Sequence, residues 1–203
     1  MKPHQNVTLE TSVPSLIGQG YIDPTDPQQL PISREDIALV LEIEPAQIDP
    51  DGIHRWPHML HVRLQSGRCT CVSYRSLPGW AEAGEAAIWR CESKAQLYDL
   101  AEVVRAEKKR FKSRYAPETL AQWREAWKTH CDRVGEIEAR REEANSWKES
   151  WKNIAKYCTN LKSFQFFLDE WRHQATNFAD LPDIVLETKE ILQQRWNWLS
   201  QAS

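Results

Sequence analysis

The sequence lacks any long apolar run. The chain has 203 residues, and none of its hydrophobic stretches approaches the roughly 18 apolar residues of a membrane-spanning helix. The opening residues, MKPHQN, also lack the apolar region of a secretion signal. We therefore expect a protein that does not cross a membrane.

Cysteines are few and show no disulfide-framework spacing. There are five of them, an odd number, whereas small disulfide-stabilised domains carry even numbers at regular intervals. A reducing compartment is the simplest environment for such a set, because free thiols persist there. The expected location is the cytoplasm.

Short catalytic and cofactor-binding motifs are also missing. The sequence contains no Walker-type phosphate loop, no nucleophile elbow and no His-Glu-x-x-His metal motif. His130 and Cys131 are neighbours, but adjacent helical positions diverge by about 100° and cannot form a nucleophile pair. We expect no enzyme activity and no cofactor.

The net charge of −3 argues against a protein that coats nucleic acid with its whole surface. The charge is unevenly distributed, however. Residues 1–92 carry 7 basic and 12 acidic side chains, a balance of −5, whereas residues 93–203 carry 19 basic and 17 acidic ones, a balance of +2. Local patches therefore matter more than the total.

Sequence patterns predict an α+β fold, with a small N-terminal antiparallel meander followed by a mainly helical part. A proline-rich extended arm is predicted over residues 1–35, a β region over residues 36–92 and a helical region over residues 93–203. The arm either lies over the body or is partly disordered.

Four strands are predicted within the β region. The alternation from Ile37 to Ile43 favours a strand, although Ser33 and Asp36 resemble a helical capping box. The Gln65-Ser66-Gly67 sequence indicates a hairpin, and a further turn is predicted at Asp49-Pro50-Asp51-Gly52. The predicted strands cover residues 37–44, 58–64, 68–74 and 86–91.

Helical periodicity begins at Ser93, which with Gln96 resembles a capping box. Pro117 suits the first turn of a second helix. A break at Asp180-Leu181-Pro182 separates the last two helices. The final apolar stripes run from Leu161 to Ala175 and from Ile184 to Leu199.

The most distinctive feature is a tryptophan repeat in a chain that contains ten tryptophans. The sequence WREAWK at residues 123–128 recurs as WKESWK at residues 147–152. Each copy places two indoles four residues apart on one helical stripe. A shift of 24 residues rotates a straight helix by roughly 240°. Either the helix breaks near Gly135 or in the charged stretch at residues 136–145, or one long helix serves two partners.

These indoles have two interpretations: packing in a helical core, or a platform exposed to a partner. Trp196 and Trp198 lie two apart and cannot share a helical face, so one is expected to pack and the other to be exposed. The candidate partner-binding residues are Trp123, Trp127, Trp147, Trp151 and Trp198.

A basic stripe precedes the repeat. On a helix, Arg105, Lys108, Lys109 and Lys112 share one edge, which could contact successive phosphates while Tyr115 stacks on a base. A solvated helix face and a site for an acidic protein are the alternatives.

Histidines and cysteines are concentrated in the β region. The set includes His54, His58, His61, Cys69 and Cys71, but the spacing matches no common zinc pattern, and buried structural cysteines are the ordinary outcome. No metal ligand is assigned.

The favoured function is a non-catalytic adaptor or assembly subunit of a larger complex that handles nucleic acid. It would dock on a protein partner through its tryptophan-rich helices and the basic stripe, and contact RNA or DNA through phosphates. The first alternative is a sequence-independent RNA- or DNA-binding protein working alone. The second is a metal-dependent enzyme that uses the histidines and cysteines of the β region.

Overall fold

A computed structural model describes residues 14–201. The chain forms two compact units, Met1–Val134 and Gly135–Ser203. The first contains a three-stranded antiparallel sheet and helices, and the second is helical throughout its described residues. The predicted α+β class, with the sheet near the N-terminus and helices beyond it, is confirmed.

Residues 14–32 lie against the first unit as a series of turns. Leu16, Ile22 and Leu30 are buried in the core, and Arg55 donates to the carbonyls of Pro24 and Leu30 at 2.8 Å each. Within this range the predicted arm therefore lies over the body. Residues 1–13, the rest of the arm, are outside the described residues.

The strand predicted over residues 37–44 is wrong, because this segment forms helix α1 (Arg34–Leu41). The Ser33 hydroxyl accepts from the Asp36 N–H, and the Asp36 carboxylate accepts from the Ser33 N–H, so the capping box forms in full. The apparent period of two was misleading, since Leu39 is exposed while Ile37 and Ala38 are buried. The local cap outweighed a short alternating pattern.

The sheet consists of β1 (Ile48–Arg55), β2 (Leu60–Leu64) and β3 (Cys69–Val72) in sequential antiparallel order. The predicted hairpin is confirmed: Gly67 adopts a left-handed φ of 78° between β2 and β3. Leu60, Val62 and Val72 are buried on the face that packs against the helices.

The turn predicted at residues 49–52 is instead an irregularity inside β1, where the pairing with β2 shifts register. Asp49 accepts from the Asp51 N–H at 2.9 Å and from Arg63 Nε at 2.8 Å. A Cβ on Gly52 would lie 2.8 Å from the Arg63 carbonyl oxygen, so this position requires glycine. The turn residues thus bend one strand and do not join two.

Helix α2 (Gly79–Trp89) replaces the strand predicted over residues 86–91, which is wrong. Trp80, Ala83, Ala87 and Ile88 are buried at helical spacing. The residues before the predicted strand, which include two alanines, favour a helix that continues through it. A short apolar run cannot distinguish a buried strand from one side of a buried helix.

Helix α3 (Lys94–Phe111) is capped by Ser93, whose hydroxyl accepts from the Gln96 N–H at 3.2 Å. Leu97, Leu100 and Val103 enter the same core as the sheet and α2. Short 3-10 helices occur in this chain at Pro45–Gln47, Tyr74–Ser76, Lys112–Arg114 and Thr176–Phe178.

Helix α4 (Thr119–Tyr157) is a single helix of 39 residues that contains both tryptophan copies. Trp123 and Trp127 pack in the core of the first unit, whereas Trp147 and Trp151 pack in the second unit. Of the two predicted arrangements, the unbroken helix that serves two partners is therefore the one observed. The two partners of this helix are the hydrophobic cores of the chain's own two units.

The second unit combines the end of α4 with α5 (Leu161–Ala175) and α6 (Pro182–Gln201). Its core includes Trp151, Phe164, Trp171 and Leu192. The predicted break at Asp180-Leu181-Pro182 is confirmed, because α6 begins at Pro182. No helix within residues 14–201 has the length and apolar composition needed to cross a bilayer.

Candidate docking site

The basic stripe lies on the surface of the first unit. Arg105, Lys108, Lys109 and Lys112 are all exposed at the end of α3 and the 3-10 turn that follows it. Arg105 pairs with Glu102 one turn earlier, at 2.5 Å, while the three lysines form no ion pair with any residue that the structure describes. The stripe is therefore a source of largely uncompensated positive charge.

Tyr115, the residue expected to stack on a base beside the stripe, is half-buried. Its hydroxyl is buried without a hydrogen-bond partner, and its ring meets that of Trp123 edge-on at a centroid distance of 5.6 Å. Burial raises the pKa of this phenol above its ordinary value, and the carboxylate of Glu107 raises it further. Tyr115 acts as a packing residue.

Trp123 is a buried residue, at 4% exposure. Its indole N–H donates to the Ala81 carbonyl at 2.7 Å. The ring lies directly against Gly84 in α2, since a Cβ built there would be 2.2 Å from two of the ring carbons. Trp123 is thus held by one hydrogen bond and one close backbone contact.

An apolar groove opens above Trp123, with a volume of about 280 Å³. One wall is the α3 face at Ala101, Val104, Arg105 and Lys108; the other is the α4 face at Leu120, Trp123, Arg124 and Trp127. Leu16, Gly84 and Ile88 complete its lining. We name this feature the α3–α4 groove. This volume is enough to hold one or two large apolar side chains.

Three cations border this apolar lining: Arg105 and Lys108 on α3, and Arg124 on α4. We name them the basic rim. The groove therefore joins part of the predicted stripe to the first tryptophan pair. An apolar depression edged by positive charge suits a ligand with an apolar anchor and negative flanks.

A buried ion pair supports the groove from inside the unit. Glu107 has no exposed side-chain area; it accepts from Arg75 Nε at 2.6 Å and from the Leu16 N–H at 2.7 Å. The Arg75 guanidinium also lies 3.9 Å from the centre of the Phe111 ring. Glu107 thereby fixes Leu16, a residue of the groove lining, to α3.

The second tryptophan pair is largely enclosed in its own unit. Trp151 is 3% exposed, and the half-buried Trp147 donates from its indole to the Gln174 side chain at 3.1 Å. Trp147 also lies 4.9 Å from Phe178 between ring centres. Core packing therefore accounts for both of these side chains.

Trp198 and Trp196 behave as their spacing predicts. Trp196 packs against the core of the second unit, whereas Trp198 is 55% exposed with the Arg195 guanidinium 4.2 Å from its ring centre. Of the five candidate partner-binding tryptophans, Trp198 is the most exposed and Trp127 lines the groove.

Histidine and cysteine side chains meet on the exposed face of the sheet. His54 pairs with His61 across β1 and β2, and His61 pairs with Cys71 across β2 and β3. The Trp56 ring stacks on His61 at 5.2 Å. No group of three or more potential metal ligands is close enough to hold an ion among residues 14–201.

Arg124, Ala101 and Gly84 are groove residues that the sequence analysis missed. The helical spacing of Ala101, Val104 and Lys108 was a usable signal, because these residues share one side of α3. Gly84 could not be recognised, since the strand prediction just after it hid the helix α2. Arg124 could have been found inside the first copy of the tryptophan repeat.

Comparisons with known proteins add no relative to this description. No family model matches the chain, and neither a curated protein nor a solved structure is similar to it.

Proposed function

We propose that the chain is a non-catalytic docking subunit, which binds a partner protein of a larger complex through the α3–α4 groove. One observation carries this proposal: an apolar groove of side-chain size lies between two helices and is bordered by three exposed cations. Apolar anchors in such grooves supply most of the affinity of protein interfaces, and rim charges supply orientation and encounter rate.

The rigidity of the lining supports this function. Trp123 is already fixed by the Ala81 carbonyl and by Gly84, and Leu16 is fixed by Glu107. A lining that is ordered before binding loses little conformational entropy when a ligand enters. The partner would then bear most of the ordering cost.

A second candidate is direct binding of RNA or DNA by the isolated chain. It rests on Lys108, Lys109 and Lys112, which have no acidic partner in the described part of the chain. The buried ring of Trp123 weighs against it, because this residue offers no free face for base stacking.

A groove-filling variant tests the docking function. Ala101→Phe places a ring in the groove, whereas Ala95→Phe adds the same ring to an exposed position of α3 that does not line it. Peptides are first selected from a display library for binding to the wild-type protein. We expect these peptides to bind Ala95→Phe as tightly as the wild type and to lose their affinity for Ala101→Phe. The docking function is wrong if no selected peptide distinguishes these two folded variants.

Binding of RNA and DNA is tested with the same protein preparations. We expect fluorescence anisotropy with labelled single-stranded RNA and duplex DNA to show weak binding at low salt. Tight binding that falls steeply with salt, and that is lost in Lys108→Glu/Lys109→Glu/Lys112→Glu, would favour the second candidate.

A further inference from the structure

We infer that the occupant of the α3–α4 groove is an amphipathic helix of the partner protein, with bulky apolar residues on one side and acidic residues flanking them. This inference rests on the proposed docking function and specifies the chemistry of the partner. The two walls of the groove, its rim charges and its fixed floor each contribute to it.

The walls of the groove are two helix faces. The lining residues of α3 lie at positions 101, 104, 105 and 108, and those of α4 at positions 120, 123, 124 and 127. Both sets follow the same helical spacing of i, i+3, i+4 and i+7. A third helix can lay its ridges against two such helix faces, with apolar residues at matching intervals.

The rim determines the charge of the occupant. Arg105 and Lys108 border one wall and Arg124 the other, so cations stand on both sides of the apolar lining. Acidic residues on both flanks of an apolar stripe would meet them, as charge complementarity requires. Glu102 pairs with Arg105, so it would compete with an acidic residue of the partner for this cation of the rim.

The competition by Glu102 is weak, because both side chains of the pair are 70% exposed. An exposed ion pair between residues one turn apart contributes little to stability. Arg105 can therefore exchange Glu102 for a carboxylate of the partner at little cost. Replacing Glu102 by Gln should raise the affinity for an acidic occupant.

The floor favours a bulky apolar anchor. Ala101 has a small side chain, and the depression that it lines with Val104, Leu120 and Trp127 is unfilled. Trp123 also lines the groove, and its indole N–H is already bonded to the Ala81 carbonyl. The floor thus presents apolar surface without a free donor, which suits Leu, Ile or Phe more than a polar residue.

Three designed peptides test the inference by calorimetry on the full chain. The acidic probe carries Leu at helical spacing and Glu at the flanking positions, the basic probe carries Lys in place of Glu, and a scrambled acidic probe keeps the composition without the spacing. We expect only the acidic probe to bind well, with a gain of helical circular dichroism and an affinity that falls with salt.

The matched protein variants are a rim reversal, Arg105→Glu/Lys108→Glu/Arg124→Glu, and a control reversal, Arg68→Glu/Lys128→Glu/Arg133→Glu, at exposed positions outside the groove. Both change the net charge equally. The rim reversal should lower the affinity of the protein for the acidic probe by at least about tenfold. The same variant should gain affinity for the basic probe. The control reversal should keep the wild-type preference.

The inference is overturned if the scrambled probe binds as well as the acidic one, or if the basic probe binds the wild-type chain equally. It is also overturned if the control reversal weakens binding as much as the rim reversal. In those cases docking still stands, provided that selected peptides remain sensitive to Ala101→Phe. If the acidic probe binds Ala101→Phe and Ala95→Phe alike, the inference fails; the docking function fails as well only if no selected peptide distinguishes these two variants.

Discussion

The two units of this chain use charge in opposite ways. The first unit places the Arg75–Glu107 pair in its interior, with the side chains 6% and 0% exposed. The second unit joins α4 to α6 through surface pairs, among them Arg141 with Asp183 and Lys148 with Glu187. An interior pair makes one arrangement of its neighbours strongly preferred, whereas surface pairs add little to stability.

The same contrast applies to the cations that remain free. In the second unit, Arg140, Arg141 and Lys148 on α4 each meet a carboxylate. In the first unit, Lys108 and Lys109 on α3 meet none within residues 14–201. These α4 cations of the second unit are thus paired with carboxylates, whereas the first unit presents, beside an apolar groove, lysines that pair with no described carboxylate. This difference is why we place the docking function in the first unit.

The largest effect is expected from Glu107→Ala, which leaves Arg75 buried without its partner. Breaking a buried pair from one side costs ~3–5 kcal/mol, and the Leu16 N–H would also lose its acceptor. We expect urea unfolding and hydrogen exchange to show destabilisation of α2, α3 and the sheet. In the double variant Arg75→Met/Glu107→Leu, much of the stability should return; equal loss in both variants would contradict the ion-pair explanation.

A smaller loss is expected from Gly84→Ala. The added Cβ would lie 2.2 Å from the Trp123 ring, and overpacking of this kind costs ~1–3 kcal/mol. The displaced ring should also close the α3–α4 groove and reduce binding of the acidic probe. Ala86→Leu, at an exposed position of the same helix, is the control for thermal unfolding. A variant as stable as the wild type would show that Trp123 does not lie against Gly84.

Tyr115→Phe should act in the opposite direction. Removing a buried hydroxyl that has no partner should leave stability unchanged or raise it by about 1 kcal/mol. Because the pKa of Tyr115 is raised in the folded state, the unfolded chain ionises first, so stability falls as pH rises above the ordinary value of 10.0.

Urea midpoints of the wild type and Tyr115→Phe, measured from neutral pH to above pH 10.0, check both parts of this prediction. The difference between the two proteins isolates Tyr115 from Tyr21 and Tyr74, whose pKa values are also raised, mainly by burial. A clear loss of stability in the variant at neutral pH would show that the hydroxyl has a partner after all.

The smallest effect is expected in the second unit. Arg141→Ala removes an exposed pair with Asp183, and such pairs commonly contribute nothing measurable. Thermal unfolding and hydrogen exchange of α6 should match the wild type within error. Marked destabilisation by Arg141→Ala would contradict the contrast between the two units. A surface pair would then matter to its unit as the interior Arg75–Glu107 pair does.

Sequence patterns identified the elements whose signals are local. The hairpin at Gly67, the start of α3 at Ser93 and the break before Pro182 all follow from caps, turns and proline geometry. The errors at residues 37–44 and 86–91 concern short apolar segments. There, alternation or a continuous run is compatible with both a strand and a helix, and burial by distant residues decides between them.

The candidate site was predicted in part. The exposed positions of Arg105 and Lys108 follow from the sequence, as does the spacing that sets Trp123 and Trp127 on one stripe. The burial of Trp123 does not follow from the sequence, because this burial depends on contacts with Gly84 and Ala81 in another helix. Neither does the role of Tyr115, whose burial depends on Trp123 and on the region around Glu107.

Composition and periodicity alone determined that this chain has an N-terminal sheet, a helical remainder and a basic edge on α3, because these features arise within a few residues of each other. Only the tertiary structure decided that one continuous helix supplies indoles to two separate cores, and that an apolar groove remains beside three cations. The reason is that burial is a property of residue pairs far apart in sequence, and a single helix cannot specify what packs against it.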